Sequence, residues 1–337
     1  MNKTSISDAS SRPMQMHLPQ PRGLVVVLCL LGLMAFLPLV ATPYLLLLMI
    51  PFFGYGIALL GFNLLFGTTG LLSFGHALFL GVGAYMAAVM TSRLGIQNFE
   101  MILLAAVLVA AVISVLIGLL CVRYTKIFFG MLTLAFGMLF HSFLFKFYDL
   151  TGGDQGMRIG RPTLLGMDYT GTKTEFLAGP FYYYSLVLFA LIAVVMWRIV
   201  RSPFGLHLRA IRENADKAAY VGVSVFRMRL AAFVISGVTG AIGGAVLGVV
   251  VGLADPEIAF WTQSGNLVFM AVLGGSSTFV GPVIGSLVFV LLQDWVMSVS
   301  EYWRLVMGTI LILLVMFLPQ GLCAAVVGLF NRKPGGQ

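Results

Sequence analysis

Seven stretches of this chain carry no Asp, Glu, Lys or Arg, and they leave little room for anything but membrane-spanning helices. They cover 23–92, 101–122, 127–145, 176–197, 230–254, 258–293 and 305–331. An α-helix rises about 1.5 Å per residue, so about 20 residues cross a hydrocarbon layer of about 30 Å. Several of these stretches are one crossing long, and the first, with 70 residues, fits three. A charge at the centre of an inserted helix costs roughly 2.5–3.5 kcal/mol. A soluble protein of this size must instead cover its surface with charge. Only 9% of the 337 residues are charged and 60% are hydrophobic, against about a quarter charged in soluble domains.

The pattern predicts an all-α integral membrane protein, a polytopic bundle of about eight spanning helices. The expected spans are 24–42, 44–62, 74–92, 101–121, 127–146, 180–199, 230–252 and 305–323. The run from Leu24 to Val40 is longer than the apolar region of a cleaved signal peptide and lacks a clear small-x-small cleavage site, so it reads as the first span. The 258–293 stretch is too long for one crossing and short for two. Its middle holds Gly274, Gly275, Gly281 and Pro282, which argue against a continuous helix. Two half-helices entering and leaving on one side are expected there, a re-entrant segment facing the bundle interior.

Lys and Arg counts set the orientation. With the N-terminus inside, the inner segments carry 14 basic residues and the outer ones six. This predicts both termini in the cytoplasm, an outer loop over 147–179 and an inner loop over 200–229. The net charge of +8 then marks the cytoplasmic side and membrane lipid, not nucleic acid. Cys29, Cys121 and Cys323 lie in or beside apolar runs with no disulfide or metal-ligand spacing.

The expected span interiors hold no ionisable Asp, Glu, Lys or Arg, where ion-coupled transporters usually place them. No carboxylate pair or His cluster for hydrolysis lies within them. No phosphate-binding Gly-rich loop followed by Lys and Ser/Thr occurs either, so any uphill transport would draw on another subunit's ATP hydrolysis. No cofactor is expected on this chain. The 61–83 stretch is dense in Gly and small polar residues, and Asn63, Gly70, Ser73 and His76 are its substrate-path candidates. A helix broken there would expose backbone groups to a polar substrate; close helix packing is the alternative. For His76, as for His141, the alternative role is a structural hydrogen bond. In the inner loop, Leu206 to Val221 reads as one amphipathic helix ended by Gly222. It is expected either to rest on anionic lipid or to dock a cytoplasmic partner, with Arg209, Arg212, Glu213 and Gly222 as the candidate contacts.

Four motifs in order carry a resemblance over about 50–322. They are Gly61-Phe-Asn63 through Gly70-Leu-Leu-Ser73-Phe-Gly75-His76-Ala77; Thr133-Leu-Ala-Phe-Gly137 with Thr151-Gly-Gly153-Asp-Gln-Gly156; Arg201-Ser-Pro-Phe-Gly205 through Arg209-Ala-Ile-Arg212-Glu213 to Gly222; and Gly274-Gly275 through Gly281-Pro282 to Gly285, closing at Leu318-Pro319-Gln-Gly321. The chain resembles the permease subunits of branched-chain amino-acid ABC transporters. The charge pattern sets a cytoplasmic N-terminal tail (1–23), a transmembrane domain (24–323) and a cytoplasmic C-terminal tail (324–337); the resemblance makes that domain a permease. It also implies a second homologous permease, two cytoplasmic ATPase subunits, a periplasmic substrate-binding protein and a bacterial inner membrane. The inner loop would be the coupling helix, although Ala215-Asp216-Lys217 depart from the family's usual acid followed by small apolar residues. The implied substrate is a branched-chain amino acid. Urea, short amides or aromatic acids are the alternatives, and a passive channel is a further one.

Overall fold

The computed structural model describes residues 21–317 and 321–323. The tails at 1–20 and 324–337, and Leu318 and Pro319 of the closing motif, lie outside the described residues. The chain is helical almost throughout. Helix α1 (Pro21–Phe36) gives way to a short 3₁₀ turn at Leu37–Leu39, where Pro38 cannot continue an α-helix. Then come α2 (Pro43–Asn63), α3 (Ala77–Ser92), α4 (Phe99–Cys121) and α5 (Lys126–Lys146). Short helices α6 (Tyr148–Thr151) and α7 (Lys173–Phe176) lie within the 147–179 loop. The long α8 (Tyr182–Arg201) follows, then α9 (Pro203–Glu213), α10 (Ala215–Tyr220) and α11 (Val225–Val251). The chain closes with α12 (Trp261–Gly274), α13 (Gly281–Val299) and α14 (Trp303–Phe317).

Among the described residues, six helices are long and apolar enough to cross a membrane, and the α1 and α3 regions form shorter apolar helices. The all-α polytopic class is therefore as expected. Four boundaries differ. Helix α1 ends at Phe36 rather than 42, at the 3₁₀ turn. Helix α3 starts at Ala77 rather than 74, because residues 69–76 are not helical. Helix α11 starts at Val225 rather than 230, so its first turn and a half carries Arg227 and Arg229. The inner loop is two helices rather than one over 206–221. Asn214 breaks it and caps α10, its Oδ1 accepting the Lys217 N–H at 2.9 Å.

The 258–293 stretch does turn back on itself, at Gly275–Val280, between α12 and α13. It is not the expected pair of half-helices: the second arm, α13, has 19 residues and is one of the six helices long and apolar enough to cross. Near the turn, Asn63 at the end of α2 bonds Thr278; near the other end, Tyr44 at the start of α2 donates to Asp294 at 2.5 Å. The arm therefore runs almost the full length of α2. The charge-free run ends at Gln293, but the helix continues through Asp294, whose carboxylate accepts the Tyr44 hydroxyl.

Helix α11 is the hub. It is as deeply buried as α2, with 72% of its apolar stretch covered against 28% in α4 and in α5, and it touches α2, α3 and α4. Its small residues let three helices approach at backbone distance. Gly240, Gly244 and Gly248 face Phe79, Leu80 and Ala84 of α3. Gly243 meets the Gly54 carbonyl of α2, and Ser236 and Thr239 lie against Gly61. Gly237 meets Ser114 of α4. A Cβ at Gly244 would collide with the Leu80 backbone, so only glycine fits.

The 147–179 loop is laced onto one end of this bundle. Met157–Arg158 pairs antiparallel with Leu253–Ala254 just after α11. The Gly160 N–H donates to Thr91 Oγ1 at 3.0 Å, and Lys173 Nζ donates to the Val251 carbonyl at 3.0 Å. The α9–α10 loop follows α8 at the opposite end.

Gly244→Val should force α3 and α11 apart; overpacking of this kind typically costs roughly 1–3 kcal/mol, and a backbone collision sits at the upper end. Thermal unfolding of the purified chain in detergent should show a clearly lower Tm. Gly308→Ala, where nothing lies within 4 Å, should leave it unchanged.

Candidate functional site

The two expected breaks, after α2 and between α12 and α13, pack against each other. Helix α2 does not stop cleanly: a wider π-turn at Leu64–Thr68 follows Asn63, and the chain then runs without helix to His76. Such turns recur at functional sites. Here the turn places Gly67 against Ser276 of the second break, with the Ser276 carbonyl oxygen and Asn63 Oδ1 where a side chain on residue 67 would project.

Asn63 is 7% exposed. Its Nδ2 donates to the Thr278 carbonyl at 3.1 Å, while its Oδ1 has no partner. Thr278 in turn orders the second break. Its hydroxyl donates to the Gly275 carbonyl at 3.3 Å and accepts the Gly281 N–H at 3.0 Å, which satisfies a free donor at the start of α13. Pro282 is buried in the first turn of that helix, where its missing N–H costs nothing. Gly274 packs on the Gly281 backbone, and Gly321 of the closing motif packs on Gly275. The first and fourth motifs therefore form one body.

Ser73 and His76 lie on another side of the first break. Both are buried. The His76 ring sits edge-on between Phe62 and Phe79, each 5.2 Å away, and Nε2 lies 3.2 Å from Ser236 Oγ on α11. His76 Nδ1 and Ser73 Oγ have no partner. His76 thus faces the hub rather than the 275–280 turn. This geometry is that of a hydrogen bond between two helices, with the Ser236 hydroxyl as the partner of the His76 ring. The second motif joins the same break: Gly75 packs on the Thr133 carbonyl of α5, and Gly137 packs on Gly75.

The α9 contacts hold a surprise. Helix α9 buries Leu208 and Ile211 and exposes its polar face. Arg209 turns back on its own chain, Nε donating to the Gly205 carbonyl and Nη2 to the Val200 carbonyl, both at 3.3 Å. Burial pulls its guanidinium below the ordinary arginine value, yet an arginine keeps its charge in proteins. Arg212 reaches into the first break, where Nη1 donates to the Gly67 carbonyl and the side chain lies against Gly70. Gly70 has φ of +79° and is exposed. Glu213 is exposed at the end of α9. Gly222 is exposed, has φ of +87° and has no neighbour within 4 Å of where a Cβ would be.

Reading the sequence missed Ser236, Ser264, Ser276 and Thr278. Ser264 on α12 accepts the Ala77 N–H at 2.8 Å, satisfying the start of α3. The available signal was small polar residues inside charge-free runs, which lack the chemistry that draws attention to a site. Among the described residues, no group of three or more His, Cys, Asp or Glu is placed to hold a metal ion. The arrangement offers hydrogen bonds and exposed backbone rather than a nucleophile or an acid–base pair.

Replacing Asn63 by Leu should leave the part-buried Thr278 carbonyl without its donor, at a cost of about 1 kcal/mol. Asn63→Asp should be worse, since it sets a carboxylate among carbonyl oxygens. Thermal unfolding in nanodiscs should rank parent above Leu above Asp.

Residues 44–316 match the family described as branched-chain amino acid transport system, permease component. The high-affinity branched-chain amino acid transport system permease protein LivM of Escherichia coli is 28% identical over 281 residues, covering 78% of this chain and 66% of that protein. The chain thus spans about two thirds of that relative's length. LivH of Salmonella typhimurium is 26% identical over 287 residues, 80% of this chain and 90% of that protein. BraD of Pseudomonas aeruginosa is 24% identical over 284 residues, 80% and 91%; both carry the same description as LivM. No solved structure matches the chain. The chain belongs to this family of permease components.

Proposed function

We propose that this chain, a member of that permease family, is one subunit of an ATP-driven importer and forms part of the path by which a branched-chain or related amino acid crosses the bacterial inner membrane. The observation that carries this reading is the family match over 44–316, which takes in both breaks and the α9–α10 loop. ATP hydrolysis belongs on two separate cytoplasmic subunits that dock at the α9–α10 end, and a periplasmic binding protein delivers substrate at the end capped by the 147–179 loop. Relatives named LivM and LivH both match, which supports pairing with a second homologous permease. Both termini then lie in the cytoplasm.

The substrate follows from the relatives' names and from the chemistry of the breaks. Unpaired neutral side-chain groups at the first break, Asn63 Oδ1, Ser73 Oγ and His76 Nδ1, are suited to a small polar substrate without fixed countercharges. Urea, short amides and aromatic acids fit the same chemistry less specifically.

Reconstitution with a second permease, the ATPases and the binding protein should give amino-acid uptake only with ATP. Flux through liposomes holding this chain alone would favour a passive channel instead. Gly222→Pro imposes φ near −65° where the chain needs +87°; uptake should be lost while the protein still inserts. Normal uptake by that variant would remove the loop from the coupling path.

A further inference from the structure

The contact between α9 and the first break joins two features that the sequence presents as separate. We propose that Arg212 is a positioning residue that latches α9 to the paired breaks, so that a displacement of α9 releases the segment 64–71 from the 275–280 turn. The proposal deepens the importer reading and rests on it for the source of that displacement.

Gly67 lies where the breaks meet: the Ser276 carbonyl and Asn63 Oδ1 crowd its Cα, and its own carbonyl accepts from Arg212. Asn63 Oδ1 is buried and unpaired. The neighbouring N–H groups are already committed. Thr69, Gly70 and Leu71 donate to the carbonyls of Leu64, Phe66 and Leu65. The Gly67 carbonyl is left over, and the Arg212 guanidinium is the donor that takes it. A charged donor makes a stronger bond to that carbonyl than a neutral donor would.

The approach is built for that side chain. Gly70 leaves its φ of +79° open to the Arg212 stem, and a Cβ there would press on Arg212 Cγ at 3.0 Å. The other end of the link is stiff. Leu208 and Ile211 seat α9 on the body, at 0% and 2% exposure. Asn214 ends α9 immediately beyond Glu213, so the helix is a short lever with Arg212 near its tip. Moving α9 along the body withdraws the guanidinium from Gly67. The Gly67 carbonyl then loses its donor at the point where the first break packs on Ser276.

Two measurements test this with Arg212→Ala, Arg212→Gln and Arg212→Lys. The first is hydrogen exchange of the full chain alone in nanodiscs, which needs no transport partner. Removing the charged bond should speed exchange of the Thr69, Gly70 and Leu71 amides by about tenfold, with Lys intermediate. Exchange equal to the parent in all three variants would overturn the latch whatever the protein transports. The second is uptake and ATP hydrolysis in the reconstituted complex. Uptake per ATP should fall by about tenfold in Arg212→Ala while hydrolysis stays within about twofold, and Lys should restore part of the coupling. Uptake and hydrolysis falling by the same factor would make Arg212 a plain ATPase contact and overturn the proposal. If the Ala variant does not insert, Gln and Lys carry both measurements. Failure of the parent complex to import with ATP would count against the importer reading, while the exchange result still decides the latch.

Discussion

Close backbone approach around α11 is the constraint on which the rest of the structure depends. Helices in a lipid environment gain little by hiding apolar side chains from one another, because the lipid is equally apolar. What holds them is dispersion over closely fitted surfaces and the few hydrogen bonds between them. Helix α11 meets this requirement on three sides, with glycines toward α2, α3 and α4. Large aromatics fill the space further out: Phe52, Phe53, Phe189 and Tyr182 interlock between α2 and α8, and the Tyr182 hydroxyl ties that cluster to α1 through the Met34 carbonyl.

A tight hub makes broken helices tolerable beside it. Irregular backbone at membrane depth survives only where protein or water satisfies it. Ser264 satisfies the start of α3, Thr278 the start of α13, and Arg212 the carbonyl left over by the π-turn. Ser264 and Arg212 come from elements distant in sequence, and Thr278, only three residues before Gly281, is itself held by Asn63 from 215 positions away. The breaks are thus cooperative with the tertiary fold: they exist because α9, α12 and α13 are in place to receive them. The same dependence makes them sensitive to movement of those elements, which a transport path requires.

Much of the architecture was legible because charge is so costly inside a membrane. The gaps between Asp, Glu, Lys and Arg locate most of the helices to within a few residues. They failed where a helix carries a satisfied charge, as α13 does at Asp294, or where it begins with arginines, as α11 does. The inner loop reads as one amphipathic helix because its apolar residues keep a helical period through Asn214. The capping bond of that residue, which ends the period, is a local alternative that periodicity does not register. The glycines of the 61–83 and 274–282 stretches correctly signalled interruption, and the four ordered motifs signalled the family.

Sequence alone determined that the chain spans a membrane, where its helices run and where they are interrupted, since these follow from transfer free energy and from local backbone preference. Tertiary structure alone decided which residues meet. Asn63 and Thr278 are 215 positions apart, and Arg212 and Gly67 are 145 apart. No periodicity or composition encodes such pairings. They arise only when α11 draws α2 and α3 to backbone distance and the α12–α13 hairpin closes against the end of α2. That packing also separated candidates that sit side by side in one motif: it turned Asn63 toward the second break and His76 toward the hub.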